Sequence, residues 1–157
     1  MPEKPLSIVQ ISDHSLLGDF VYRVHEPAAA LGALDGVEAY DVHFMSRWRD
    51  EAALAADICV VYLVIDIEIF RLIEQRRQLG KPTFCEINDY FFDVHPWNKA
   101  FRSWSSPQNQ KMFITMMKRC DGLQVKIFGL CYNSPSEVLE LRVVFLSVRR
   151  PGSVFFY

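Results

Sequence analysis

The sequence contains no Cys-x-x-Cys pair and no cysteine–histidine spacing of the zinc-binding kind. Its four cysteines are scattered, and Cys59 and Cys85 lie inside apolar runs, where a thiol behaves as a small buried hydrophobe. A reducing, cytoplasmic setting fits that usage. Neither Gly-x-Gly-x-x-Gly nor a lysine-tipped phosphate loop occurs, which argues against a dinucleotide or ATP site. No cofactor and no metal is therefore expected. An excess of positive charge is missing too: 17 Lys and Arg face 19 Asp and Glu, so no basic face is available for nucleic acid. The longest unbroken apolar run, residues 58–65, is far too short to span a bilayer. The opening MPEKPLSIVQI lacks the charged segment and long apolar stretch of an export signal.

What remains has the composition of one globular domain with a real core. Half of the 157 residues are hydrophobic and 23% are charged. Residues 6–11 form a compact apolar run that reads as a first strand, followed by a loop at 12–18. Alanines at 28–30 favour a helix over 22–34, with Pro27 in its first turn and Arg23 just ahead of the helix start. Residues 37–44 alternate as a second strand, and 50–56 make a short helix. The run 57–65 (DICVVYLVI) is β-branched and aromatic throughout, as in a strand covered on both faces. Asp66 then caps a helix to Leu79 that lines up Ile69, Phe70 and Ile73, with Arg76 and Arg77 suited to its C-terminal dipole.

Gly80 is placed as a left-handed helix stop and Pro82 forbids continuation, so residues 83–87 read as a fourth strand. That strand runs into Glu86, Asn88 and Asp89, and six aromatics follow between Tyr90 and Trp104. Ser106 and Pro107 open a helix carrying Met112, Phe113, Met116 and Met117 at helical spacing, a stripe that belongs to a core. Residues 121–125 supply a fifth strand. Strictly alternating strands and helices argue a Rossmann-like α/β fold, a doubly wound parallel sheet of order 2-1-3-4-5. Ligands of such sheets sit beyond the carboxyl ends of the strands, so the stretch 79–104 is the expected site.

The alternation stops at residue 126. Residues 126–157 offer one strand-like run, 141–148, of high β-propensity with a single charge, Arg142, and no helix to follow strand five. The chain therefore divides into a domain over 1–125 and a divergent tail over 126–157, either poorly integrated or read out of frame.

The series Tyr22-Arg23-x3-Pro27, ADICVVY, LGKP-x3-EIND-x-FFD and CDGLQV resembles the N-terminal, acceptor-side half of a GT-B-type bacterial glycosyltransferase, nearest to the glycogen-synthase and mannosyltransferase kind, over residues 6–125. The resemblance implies two Rossmann-like domains facing across a cleft, the N-terminal one binding a sugar or lipid-linked acceptor. A nucleotide-sugar donor would be held by a C-terminal domain whose motif these residues do not include. It further implies cleft-facing roles for Arg23, Glu86 and Asp89, and for Asp13 and His14.

An acceptor half needs carboxylates and amides for hydroxyls and flat apolar surface for sugar faces. Glu86, Asn88, Trp97 and Trp104 supply those types, with Arg23 beside them. A general base must be a carboxylate or a histidine, which makes Asp13, His14 and Asp89 the catalytic candidates. Lacking a donor site, residues 1–157 are expected to turn over no substrate alone. Two other readings are a non-catalytic binding remnant and a flavodoxin-like phospho-acceptor domain using Asp13, Asp66 and Lys126. His25, His43 and His95 have no ligand-like spacing and read as surface or packing residues. The aromatics of 90–104 have no basic amphipathic partner, which argues against membrane association.

Overall fold

A computed structural model describes residues 4–13, 17–87, 95–97, 101–127 and 142–147. The strands β1 (Leu6–Ser12), β2 (Val37–His43), β3 (Ile58–Tyr62), β4 (Thr83–Ile87) and β5 (Gly122–Ile127) form one sheet in the order β2-β1-β3-β4-β5, every neighbouring pair parallel. This is the expected α/β Rossmann-like arrangement. The run near 141–148 appears as β6 (Arg142–Ser147), which pairs antiparallel with β5 along its whole length and forms the sheet's edge among the described residues.

The main core lies on one face. Val9, Ile11, Cys59, Val61 and Cys85 point from the strands into α3 (Arg49–Ala55), α4 (Ile67–Gln78) and α6 (Pro107–Arg119), meeting Ala53, Ile69, Leu72, Ile73, Phe113 and Met116. Each such large apolar side chain contributes about 1.5–3 kcal/mol by leaving water. Along β3, Cys59 and Val61 on the core face and Tyr62 on the other are buried, whereas Ile58 and Val60 are half-buried. On that second face α2 (Glu26–Gly32) packs over β1 and β2, and α1 (Leu17–Phe20) leads into it.

Between α1 and α2 the chain stays helical but widens into a π-helical turn, Val21–His25, where the Glu26 amide reaches back to the Val21 carbonyl. Pro27 stands in the first turn of α2, as the sequence implies, directly after this wider turn. Its nitrogen has no hydrogen to donate and its ring crowds the carbonyl four residues back, so the helix opens upstream. Arg23 consequently lies within a helix, not ahead of one.

The local signals of α4 act as the sequence implies. Asp66 caps it, its Oδ1 accepting the Glu68 amide at 2.7 Å. At the other end Gly80 takes φ +71°, the Lys81 amide donates to the Arg76 carbonyl and the Gly80 amide to that of Arg77. Arg76 itself does something else. It is fully buried, and its guanidinium donates to Thr83 Oγ1 at 3.0 Å and to the carbonyls of Ala53, Ala56, Asp57 and Pro82. Lys81 Nζ donates to the carbonyls of Leu54 and Ala55. Two cations thus satisfy the last four carbonyls of α3, which its own backbone leaves orphaned.

Two aspartates clasp the amino ends of the strands. Thr83 N donates to Asp121 Oδ2 at 2.9 Å, tying β4 to β5. Ser7 N and Ser7 Oγ donate to Asp57 Oδ2 at 2.9 and 2.7 Å, tying β1 to β3, and Lys4 Nζ lies 3.4 Å from Oδ1. Those Ser7 hydrogen bonds, backbone first, hold the Asp57 pKa down at about 2. A carboxyl depressed on folding stabilises the native state fully above its unfolded value near 4 and loses that contribution as pH falls toward 2. Acid titration of the unfolding midpoint should therefore show a decline between about pH 4 and pH 2 that Asp57→Asn flattens. An unchanged decline in the variant would assign it to other carboxyls.

Candidate functional site

The register of the parallel sheet puts one hydrogen-bonding residue from each strand at the same level near the carboxyl edge. His43 pairs with Ser12, Ser12 with Tyr62, Tyr62 with Glu86 and Glu86 with Gln124. Residues opposite one another in a ladder share a face, so these five side chains form a polar ledge on the side away from the main core. Gln10 and Asp41 lie one step below on the same face. Ser12, Tyr62 and Glu86 are buried, while His43 and Gln124 at either end are half-buried. The backbone turns sharply beside this ledge: Leu63, directly after Tyr62, has φ +49°, a left-handed conformation that costs a branched side chain about 1–2 kcal/mol.

Asp13 caps the accessible end. It follows β1 directly, and its Oδ1 stands 3.8 Å from His43 Nε2. The Met45 amide donates to His43 Nδ1 at 3.1 Å. That bond needs the Nδ1 lone pair, so the neutral ring carries its proton on Nε2, facing Asp13. Ser12, His43 and Asp13 are the residue types of a hydrolytic triad, but this is not one. Nδ1 is taken by a backbone amide, and Ser12 Oγ is buried with no hydrogen-bond partner among the described residues. A second histidine–carboxylate pair, His25 Nδ1 to Asp41 Oδ1 at 3.3 Å, joins the π-helical turn to β2.

Of the residues singled out by sequence, Asp13 and Glu86 belong to this edge, Asp13 on its rim and Glu86 as a buried part of its floor. Arg23 is half-buried on the helix that covers β1 and β2. Trp97 is highly exposed and stacks on His95. Trp104, from α5 (Phe101–Trp104), turns the other way and packs edge-on against Phe113 at 5.1 Å, as part of the core. His14, Asn88 and Asp89 lie outside the described residues. Asp66, which the phospho-acceptor reading uses, caps α4 through Oδ1.

Sequence reasoning missed Ser12, His43, Tyr62 and Gln124. Their signal is present but faint: each strand carries a hydrogen-bonding residue near its carboxyl end. Among the described residues, no group of three or more His, Cys, Asp or Glu side chains is placed to hold a metal ion, and no helix is long and apolar enough to cross a membrane. The fold and this edge define the chain as a Rossmann-like α/β domain. No protein-family model and no curated protein matches its sequence.

Proposed function

We propose that this chain is the acceptor-binding half of a GT-B-type glycosyltransferase, acting in the cytoplasm on a sugar or lipid-linked acceptor. The observation that carries the proposal is the carboxyl edge of the 2-1-3-4-5 sheet, where Asp13 and His43 stand over a ledge of Ser12, Tyr62 and Glu86. An acceptor hydroxyl at that rim meets a carboxylate that accepts its proton and an Nε2–H that donates to its neighbour. Asp13, rather than His43, is thus the base of this reading. Transfer also requires a nucleotide-sugar donor held on a second domain, so these residues bind without turning over.

Calorimetric titration of the chain with neutral mono- and disaccharides tests the proposal. Binding is expected, weakened about tenfold or more by Asp13→Asn, a loss of about 1.4 kcal/mol. Nucleotide sugar should not be consumed. Absence of saccharide binding, or an Asp13→Asn variant that binds as well as the parent, would remove the proposal's basis. Donor consumption by the chain alone would show that the donor site is misassigned.

A further inference from the structure

The near balance of charge in this chain hides an uneven distribution across the sheet. On α3 and α4 every surface arginine sits beside a carboxylate: Arg49 by Asp50 at 2.7 Å, Arg71 by Glu68 and Arg77 by Glu74 at 2.9 Å. The α5–α6 segment breaks that pattern. Residues 101–120 hold Arg102, Lys111, Lys118 and Arg119 but no Asp or Glu, and all four cations are exposed. Among the described residues none of the four makes an ion pair. Lys111 and Lys118 share one face of α6, about 10.5 Å apart along its axis, with half-buried Ile114 between them. The other side of the sheet has the opposite sign. Residues 26–46 hold Glu26, Asp35, Glu38 and Asp41 but neither Lys nor Arg. Asp41 is engaged with His25, whereas Glu26, Asp35 and Glu38 are exposed. Leu34 and Tyr40, 56% and 37% exposed, stand in the same stretch, so these carboxylates border apolar surface as a polar rim does at an interface.

We infer that the basic α5–α6 face of one copy docks on the acidic α2–β2 edge of a second copy, in a head-to-tail self-association. Within one copy the two poles cannot meet. The strand order sets β2 and β5 four strand spacings apart, about 19 Å, and α4 lies between α3 and α6 on the core face. That separation exceeds the screening length of about 8 Å at physiological salt, so each pole is open to an outside partner. Charge complementarity selects the second copy. Its 26–46 stretch offers carboxylates to the cations and exposed Leu34 and Tyr40 for Ile114 and the lysine stems to cover. A long polyanion is a poorer occupant, because the chain as a whole carries -2 and its acidic edge repels it. The contact joins two different surfaces, so a pair keeps one open pole of each sign and adds further copies unless a ring closes. The inference is independent of the acceptor-half reading.

Sedimentation velocity of the full chain at rising concentration and low ionic strength should show reversible association. It should be lost toward 1 M salt, where the screening length falls to about 3 Å. Reversing the basic pole, Lys111→Glu with Lys118→Glu, should weaken association about tenfold or more. Reversing the acidic pole, Asp35→Lys with Glu38→Lys, should do the same. An equimolar mixture of the two variants should associate again, since each supplies the pole that the other lacks. All four positions are exposed, and the mixture guards against a folding defect, because two damaged chains would not rescue one another. A parent chain that stays monomeric at low salt would overturn the inference. So would association that survives both reversals, or a mixture that stays dissociated. A monomeric parent that binds a single-stranded oligonucleotide through Lys111 and Lys118 would overturn it as well, and would assign the basic face to a polyanion.

Discussion

Replacing Arg76 by methionine is expected to lower the stability of the domain by about 3–5 kcal/mol, out of a total of about 5–15 kcal/mol for a chain of this size. Methionine keeps the apolar stem but deletes all five donors. The carbonyls of Ala53, Ala56, Asp57 and Pro82 and the Thr83 hydroxyl then lose the partner they share at the buried amino end of the sheet. Each buried acceptor left unpaired costs about 1–3 kcal/mol, so even partial relaxation leaves a large deficit. Burial pushes the Arg76 pKa down, and the acceptors around it compensate that desolvation with a full set of hydrogen bonds. Arg76→Lys should be intermediate, since one ammonium cannot reach acceptors spread around a planar fork. Urea denaturation with an unchanged slope measures the effect. A methionine variant within about 1 kcal/mol of the parent would mean that the carbonyls find other partners.

Arg76 also marks where the sequence stops being legible. Its position in the last turn of α4 suggests a local partnership with that helix's own dipole. Its actual acceptors come from the end of α3, the start of β3 and the start of β4, and nothing within a few residues of Arg76 announces them. Asp66 and Gly80 were readable because a cap and a left-handed stop depend on neighbours along the chain. The five parallel strands were readable because β-branched runs recur between amphipathic helices. Arg23 was misplaced because helical structure begins earlier, at Leu17, over a stretch with no strong start signal.

The site was legible in part, for the same reason. Asp13 and Glu86 follow or end strands and could be placed at the carboxyl edge. His43 meets Asp13 only because β1 and β2 pair in the register that sets Ser12 opposite His43. Register is a property of two strands, so neither sequence carries it alone. Trp104 illustrates the converse. An aromatic in a candidate loop looks available to a ligand, but α5 leads into α6 and turns its ring onto Phe113.

Ser12→Ala should move stability the other way, raising it by about 1–2 kcal/mol. Ser12 is fully buried at the centre of the ledge, between His43 and Tyr62, and its Oγ has no hydrogen-bond partner among the described residues. Holding a hydroxyl in that condition costs about 1–3 kcal/mol relative to an apolar group of similar shape, and alanine leaves almost no void. A domain that carries such a cost beside a left-handed Leu63 has its strain gathered at the carboxyl edge, where proteins trade stability for function. The urea midpoint of Ser12→Ala at an unchanged slope measures the effect, and a higher midpoint is the expected result. If the alanine variant is instead less stable by about 1 kcal/mol, the hydroxyl is bonded within the folded chain.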